Sequence, residues 1–355
     1  MSKAFNMRRI SKVFLFIVFL SASFQSLATH IRALEITARR ISSSTLTFEF
    51  TITGYRDVQG VDFANGEFRF GDGSEPVTEI PWIEIGNVGN DTEKWQFTLT
   101  HTFSGPGAYK VSYKEPFRNG GIVNMSNSIG TEYFTETLIL IDPLVGINST
   151  PILTVPPIDL GASGLIFIHN PGAFDEDGDS LSYRLSIPLQ ANGVNVSGYL
   201  SPVDPSFYPD GFANANQNQD GPPTLTLDPG VGDLIWDAPG MAGEYNVSFI
   251  VEEWREINGQ YFRLGYVTRD MQIIIEDTDN QAPELTPPDD LCVAAGTFID
   301  DSVYEPDIIG TDPDNHPVTL SAFGGPFEIP GSAYFTPDPP VAQGPPGILE
   351  FFWDT

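Results

Sequence analysis

The 355-residue sequence is poor in cysteine, histidine and positive charge. It holds one Cys, four His and 17 Lys+Arg against 47 Asp+Glu. A single cysteine, Cys292, excludes both a disulfide framework and a cysteine-rich zinc site within this chain. The histidines, His30, His101, His169 and His316, are too scattered to make a histidine-based metal centre. A formal net charge of −30 leaves no clustered Lys and Arg for phosphate, so no nucleic-acid partner is expected. No HExxH, GxSxG or glycine-rich phosphate loop occurs, and no enzyme is expected. Helical periodicity is missing as well: no window keeps apolar residues at that spacing for three turns without Gly, Pro or β-branched interruption.

The one long apolar run lies at the start. Lys3, Arg8, Arg9 and Lys12 precede Val13 to Phe24, and Ser26-Leu27-Ala28 offers a small-x-small cleavage pattern. Residues 1–28 therefore read as a secretory signal peptide. The rival reading, a membrane anchor, needs about 20 apolar residues, and this run is shorter. No second such run exists, so no membrane span is expected in the mature chain, which is secreted or held at the cell surface. Loss of four positive charges takes the net charge from −30 to −34.

Period-two alternation fills the rest. Thr45–Thr53, Lys94–His101, Ala108–Tyr113, Tyr133–Ile141, Gly243–Glu252 and Asp270–Glu276 all read as strands separated by Gly, Asn, Asp and Pro clusters. The expected class is all-β: tandem immunoglobulin-like β-sandwich modules of about 100 residues each. Proline punctuation divides the chain into 29–143, 144–279 and 280–355.

The last two segments repeat one another. Asn148-Ser149-Thr150-Pro151 matches Asn280-Gln281-Ala282-Pro283, and Asp175-Glu176-Asp177 matches Asp312-Pro313-Asp314. Gly232 to Asp237 then echoes Gly347 to Asp354. In the second segment 41 residues follow Trp236 up to Asp277, whereas only Asp354 and Thr355 follow Trp353. A sandwich without its closing strands exposes sheet edges. The third segment is thus expected to be an incomplete copy, with a covalent continuation of the same polypeptide, or less readily a partner chain, supplying the remainder. Cys292 would find its partner there.

Phe70-Gly71-Asp72-Gly73-Ser74, followed by His101-Thr102-Phe103-Ser104-Gly105-Pro106-Gly107-Ala108-Tyr109, resembles the PKD domain, whose pattern is an FGDGS turn and then H-T-[FY]-x-x-P-G-x-Y. The usual Trp-x-Phe lead-in is here Phe68-Arg69-Phe70. The run at 175–183 and the strand at 243–247 resemble cadherin-like, immunoglobulin-fold repeats of bacterial surface proteins. Taken whole, the mature chain is similar to long secreted, gliding motility-associated proteins of Bacteroidetes, which end in a type IX secretion sorting domain. The resemblance implies an adhesion or gliding-associated array that binds an extracellular protein or polysaccharide ligand. It also implies that Asp277-Thr278-Asp279-Asn280 is a calcium-binding junction between repeats.

Asp175, Asp177 and Asp179 place carboxylates at alternate positions around Gly178, which suits a hard, oxygen-seeking ion such as calcium. An EF-hand is excluded, because its sixth and twelfth positions would be Ser180 and Ser186. The candidate ligands are Asp175, Asp177, Asp179, Asp277, Asp279, Asn280, Asp312 and Asp314. The competing reading is that Asp and Gly simply make good exposed turns. Glu252-Glu253-Trp254-Arg255 looks catalytic, yet adjacent strand residues point to opposite faces. Glu253 then reads as a surface partner for Arg255. Trp82, Trp95 and Trp254 are candidates for a sugar platform, with core packing the default. The functional expectation is a non-catalytic extracellular module array; the alternative is an accessory array of a secreted polysaccharide hydrolase.

Overall fold

The structure, a computed structural model, describes residues 31–286 apart from 61, 64 and 65, together with 298–299 and 308–354. The signal segment and Cys292 lie outside the described residues. Seven strands fill the first segment: β1 (Ile31–Arg40), β2 (Thr47–Asp57), β3 (Glu67–Arg69), β4 (Ile83–Gly89), β5 (Thr92–Thr102), β6 (Gly107–Glu115) and β7 (Tyr133–Ile141). The second holds β8 (Ile152–Leu153), β9 (Leu160–Ala162), β10 (Phe167–His169), β11 (Ala173–Phe174), β12 (Ser180–Ser186), β13 (Leu189–Ala191) and β14 (Val194–Asn195). It continues with β15 (Thr224–Leu227), β16 (Leu234–Asp237), β17 (Gly243–Ile257) and β18 (Gln260–Glu276). In the third are β19 (Glu284–Thr286), β20 (Phe298–Ile299), β21 (Ile308–Thr311), β22 (Ala333–Thr336) and β23 (Gly347–Asp354). The protein is all-β, and nearly every pairing is antiparallel.

Alternation explains which residues each strand buries. Along β2, Phe48, Phe50 and Ile52 point inward and meet Phe68, Phe70, Phe97 and Phe103 in the first core. Along β17, Tyr245, Val247, Phe249 and Val251 do the same in the second, against Trp236, Val267, Met271 and Ile273. Trp236 is fully buried and its indole N–H donates to the Tyr208 hydroxyl.

The expected boundary at 143/144 falls between β7 and β8, and hydrogen bonding runs across it. The 17-residue β18 pairs along its length with β17, and also with β1 (Ala33↔Met271) and β7 (Tyr266↔Leu138). A buried polar seam lies along this junction. The guanidinium of Arg118, on the β6–β7 connection, donates to both oxygens of Asp270 at 3.1 and 2.6 Å and to Asn246 Oδ1 at 3.0 Å. It also lies 4.2 Å from the centre of the Tyr133 ring. Arg269 pairs with Glu35 at 2.5 Å and donates to the Val155 carbonyl. Both arginines are fully buried. Removing one partner of such a pair costs about 3–5 kcal/mol, so the seam binds the two segments into one sheet with a fixed register.

The third segment repeats the second in detail. Ile152↔Phe174 and Leu153↔Ala173 pair β8 with β11, and Glu284↔Thr311 and Leu285↔Gly310 pair β19 with β21. Trp236 sits between Phe167 and Leu225, and Trp353 between Ile299 and Ala333.

Candidate metal centre

β11 ends at Phe174 and the chain turns through residues 175–179 before β12. Asp175 Oδ1 sets this turn by accepting the N–H groups of Asp177 at 3.0 Å and Asp179 at 3.1 Å. Gly178 has φ +79°, in the left-handed region that glycine enters at no steric cost. β12 then pairs with β17 so that Leu181 faces Glu253 and Ser180 faces Trp254. That register carries Glu253 over the aspartate loop.

Three carboxylates meet there. Asp175, Asp179 and Glu253 each offer an oxygen within 4.8 Å of the others. Glu253 is 0 % exposed and Asp175 8 %. No donor meets either oxygen of Glu253, or Oδ2 of Asp175, at hydrogen-bond geometry. Burial pushes the Glu253 carboxyl up to about 10, and the Asp175 charge adds to this; the nearby Asn148 side chain works the other way. Asp175 is also raised, first by burial; the Asp179 N–H bond opposes this, and the Asp179 and Asp177 charges add to it. Three buried, unmatched oxygens of one sign can be satisfied by a shared proton or by a hard cation, and the donor set is the all-oxygen kind that calcium takes.

The remaining sequence candidates divide. Asp177 turns to the linker, where its Oδ2 accepts the Ser149 N–H at 2.7 Å. Asp312 and Asp314 form a second group with His316, largely exposed, in which Asp312 Oδ1 accepts the N–H groups of Asp314 and His316. Asp314 Oδ2 accepts the Gln281 N–H at 2.7 Å, the bond that Asp177 makes to Ser149. Asp277, Asp279 and Asn280 are exposed and belong to neither group. Gln281, the residue after the linker 277–280, is the one held by the third segment's loop.

Glu253 corrects the expectation drawn from sequence. It is no surface partner of Arg255, because it lies inside, and Arg255 pairs instead with Asp179 at 2.5 Å. The signal was present: Tyr245, Val247, Phe249 and Val251 are buried, and Glu253 continues their period-two series. Glu252, on the other face, pairs with Arg263 at 2.8 Å and Arg184 at 3.4 Å. The two glutamates do not flank a common site.

The two halves of the FGDGS and His-Thr-Phe pattern also meet. Asp72 accepts from the Ser74 N–H and hydroxyl, and its other oxygen lies 2.7 Å from His101 Nε2. Phe70 stacks on His101 with ring centres 4.0 Å apart. Burial raises the Asp72 pKa, but the Ser74 and His101 bonds outweigh it and bring the carboxyl to about 2. A Cβ on Gly71, which has φ +81°, would come 2.3 Å from the Lys110 carbonyl oxygen. Trp82 stacks on Phe63, Trp95 lies beside Arg56, and the Trp254 indole donates to Ser182; none of the three is fully exposed.

Compared with known proteins, the chain matches no family model, no curated protein and no solved structure. Among the described residues no helix is long and apolar enough to cross a membrane.

Proposed function

We propose that the chain is a non-catalytic, secreted or cell-surface array of β-sandwich modules, PKD-like and then cadherin-like, of the adhesion and gliding-associated type. Its modules act as spacers and binding surfaces for an extracellular protein or polysaccharide, and calcium at Asp175, Asp179 and Glu253 stiffens the second of them. The observation that carries the calcium reading is Glu253: a wholly buried carboxyl beside Asp175 and Asp179, neither of whose oxygens meets a partner at full hydrogen-bond geometry, with the Asn148 side chain as the donor nearby. The contacts between the two halves of the PKD-like pattern, and the pairing shared by the two later segments, support the modular reading. An accessory array serving a polysaccharide hydrolase has less support, since Trp82, Trp95 and Trp254 are engaged in packing and offer no open aromatic platform.

Thermal melts of residues 29–355 in calcium and in EDTA test the calcium reading. An ion bound only to the folded form adds about 2.7 kcal/mol at 100 times its dissociation constant. For a unit of this size that raises the melting temperature by roughly 5–10 °C. Glu253→Gln should abolish the rise. Superimposed melts for the unaltered protein would remove calcium from the account.

A further inference from the structure

The linker between β7 and β8 is gathered around one guanidinium. Nε and Nη2 of Arg255 donate to the two carboxylate oxygens of Asp179 at 2.8 and 2.5 Å. Nη1 donates to the backbone carbonyls of Val145 and Ile147 at 2.8 and 2.9 Å, and Nη2 also reaches Asn148 Oδ1 at 2.8 Å. Five oxygens from two separate stretches of chain thus converge on a single positive charge: two carboxylate, two carbonyl and one amide. Oxygens of this kind and number are what a hard divalent cation collects. A guanidinium can take the same place because its donors form a rigid fork and it stays charged at every ordinary pH.

The surrounding bonds are consistent with a clamp. The Leu144 and Val145 N–H groups fold back onto Asp142, and the Ser149 N–H is held by Asp177 of the same aspartate loop. Without the guanidinium, the carbonyls of Val145 and Ile147 and the Asp179 carboxylate would crowd together with no donor between them. Among the described residues no guanidinium gathers the following joint in this way. Residues 277–355 contain neither lysine nor arginine, and His316 occupies the loop position that Asp179 holds in the second segment.

We propose that Arg255 is the resident cation of the joint between β7 and β8. It fixes residues 144–148 onto the aspartate loop, so this joint stays rigid without any bound metal. Asp179 is common to this clamp and to the calcium reading, but Arg255 already holds both of its oxygens and touches neither carboxyl of Asp175 or Glu253, so the clamp stands in EDTA whether or not calcium binds beside Glu253.

Hydrogen exchange followed by mass spectrometry on residues 29–355 in EDTA tests it. In the unaltered protein the hydrogen-bonded amides of Leu144, Val145 and Ser149 should exchange slowly, at the same rate with and without calcium. In Arg255→Ala they should exchange at least about tenfold faster, while the amides of 243–252 and 266–275 keep their protection and report an intact core. Arg255→Lys keeps the charge but not the fork and should fall between the two. If Arg255→Ala loses core protection as well, the lysine variant decides by the same comparison. Slow exchange of the Leu144, Val145 and Ser149 amides in a folded Arg255→Ala protein, or protection in the unaltered protein that appears only with calcium, would overturn the proposal. Because calcium binding at Glu253 is read by a different signal, its failure would leave this result standing.

Discussion

The aspartate loops of the second and third segments are built alike and sealed differently. In each, the leading aspartate accepts the N–H groups two and four residues on, and the next aspartate holds a linker N–H at 2.7 Å. Over the second loop lies β17, which brings Glu253 from inside and Arg255 from the linker side. Among the described residues of the third segment no strand takes that place. Leu153 is 7 % exposed and its counterpart Leu285 is 56 % exposed. A cleft of about 500 Å³ lined by Leu285, Ile308, Val318, Leu320 and Leu349 opens where the second core is filled. The lesson is that an Asx-type loop is a local product of its own sequence, whereas a cation site also needs a strand from far along the chain.

The strongest test of this contrast is the paired tryptophans. Trp236→Ala should cost about 3–5 kcal/mol in urea unfolding followed by circular dichroism, and Trp353→Ala, half-buried, roughly half of that. Similar losses at the two positions would mean that the third copy is sealed after all. Asp179→Ala removes the partner of Arg255 and should cost about 2–4 kcal/mol in the same assay. His316→Ala, at the matching position, should stay within about 0.5 kcal/mol.

A pH series sharpens the comparison further. Glu253 has a folded-state pKa raised to about 10, above its unfolded value, so its contribution is complete below about pH 4.5 and is lost as pH rises. The metal-free protein should lose stability toward alkaline pH with a slope of at most about 1.4 kcal/mol per unit, measured by melts in EDTA. Glu253→Gln should flatten that slope, and Asp312→Asn should leave it unchanged. At the acid end the sign reverses. Asp72 is held at about 2, so its contribution is present above its ordinary range and fades as pH falls toward 2.

Much of this fold could be read from alternation and turns. All six expected strands lie in or overlap observed ones, with Tyr133–Ile141 matching β7 end to end. The junctions were less legible. Pro143 and the turn after it look like a module boundary, yet Arg118, Glu35, Arg269 and Asp270 form a seam across it between residues more than 100 positions apart. Nothing local marks those charges as buried. In the carboxylate cluster Asp175 and Asp179 were visible from their spacing around Gly178. Glu253 was not, because a glutamate beside Arg255 reads as an exposed pair unless its place in the β17 alternation is followed from Tyr245 onward.

The most direct test of the buried site is a crystal structure of residues 29–355 grown with millimolar calcium, with anomalous diffraction data. The account predicts an ion between Asp175 Oδ2 and the Glu253 carboxylate, with oxygen distances of about 2.3–2.6 Å. A direct carboxyl–carboxylate hydrogen bond between Glu253 and Asp175, with no anomalous peak beside them, would contradict it.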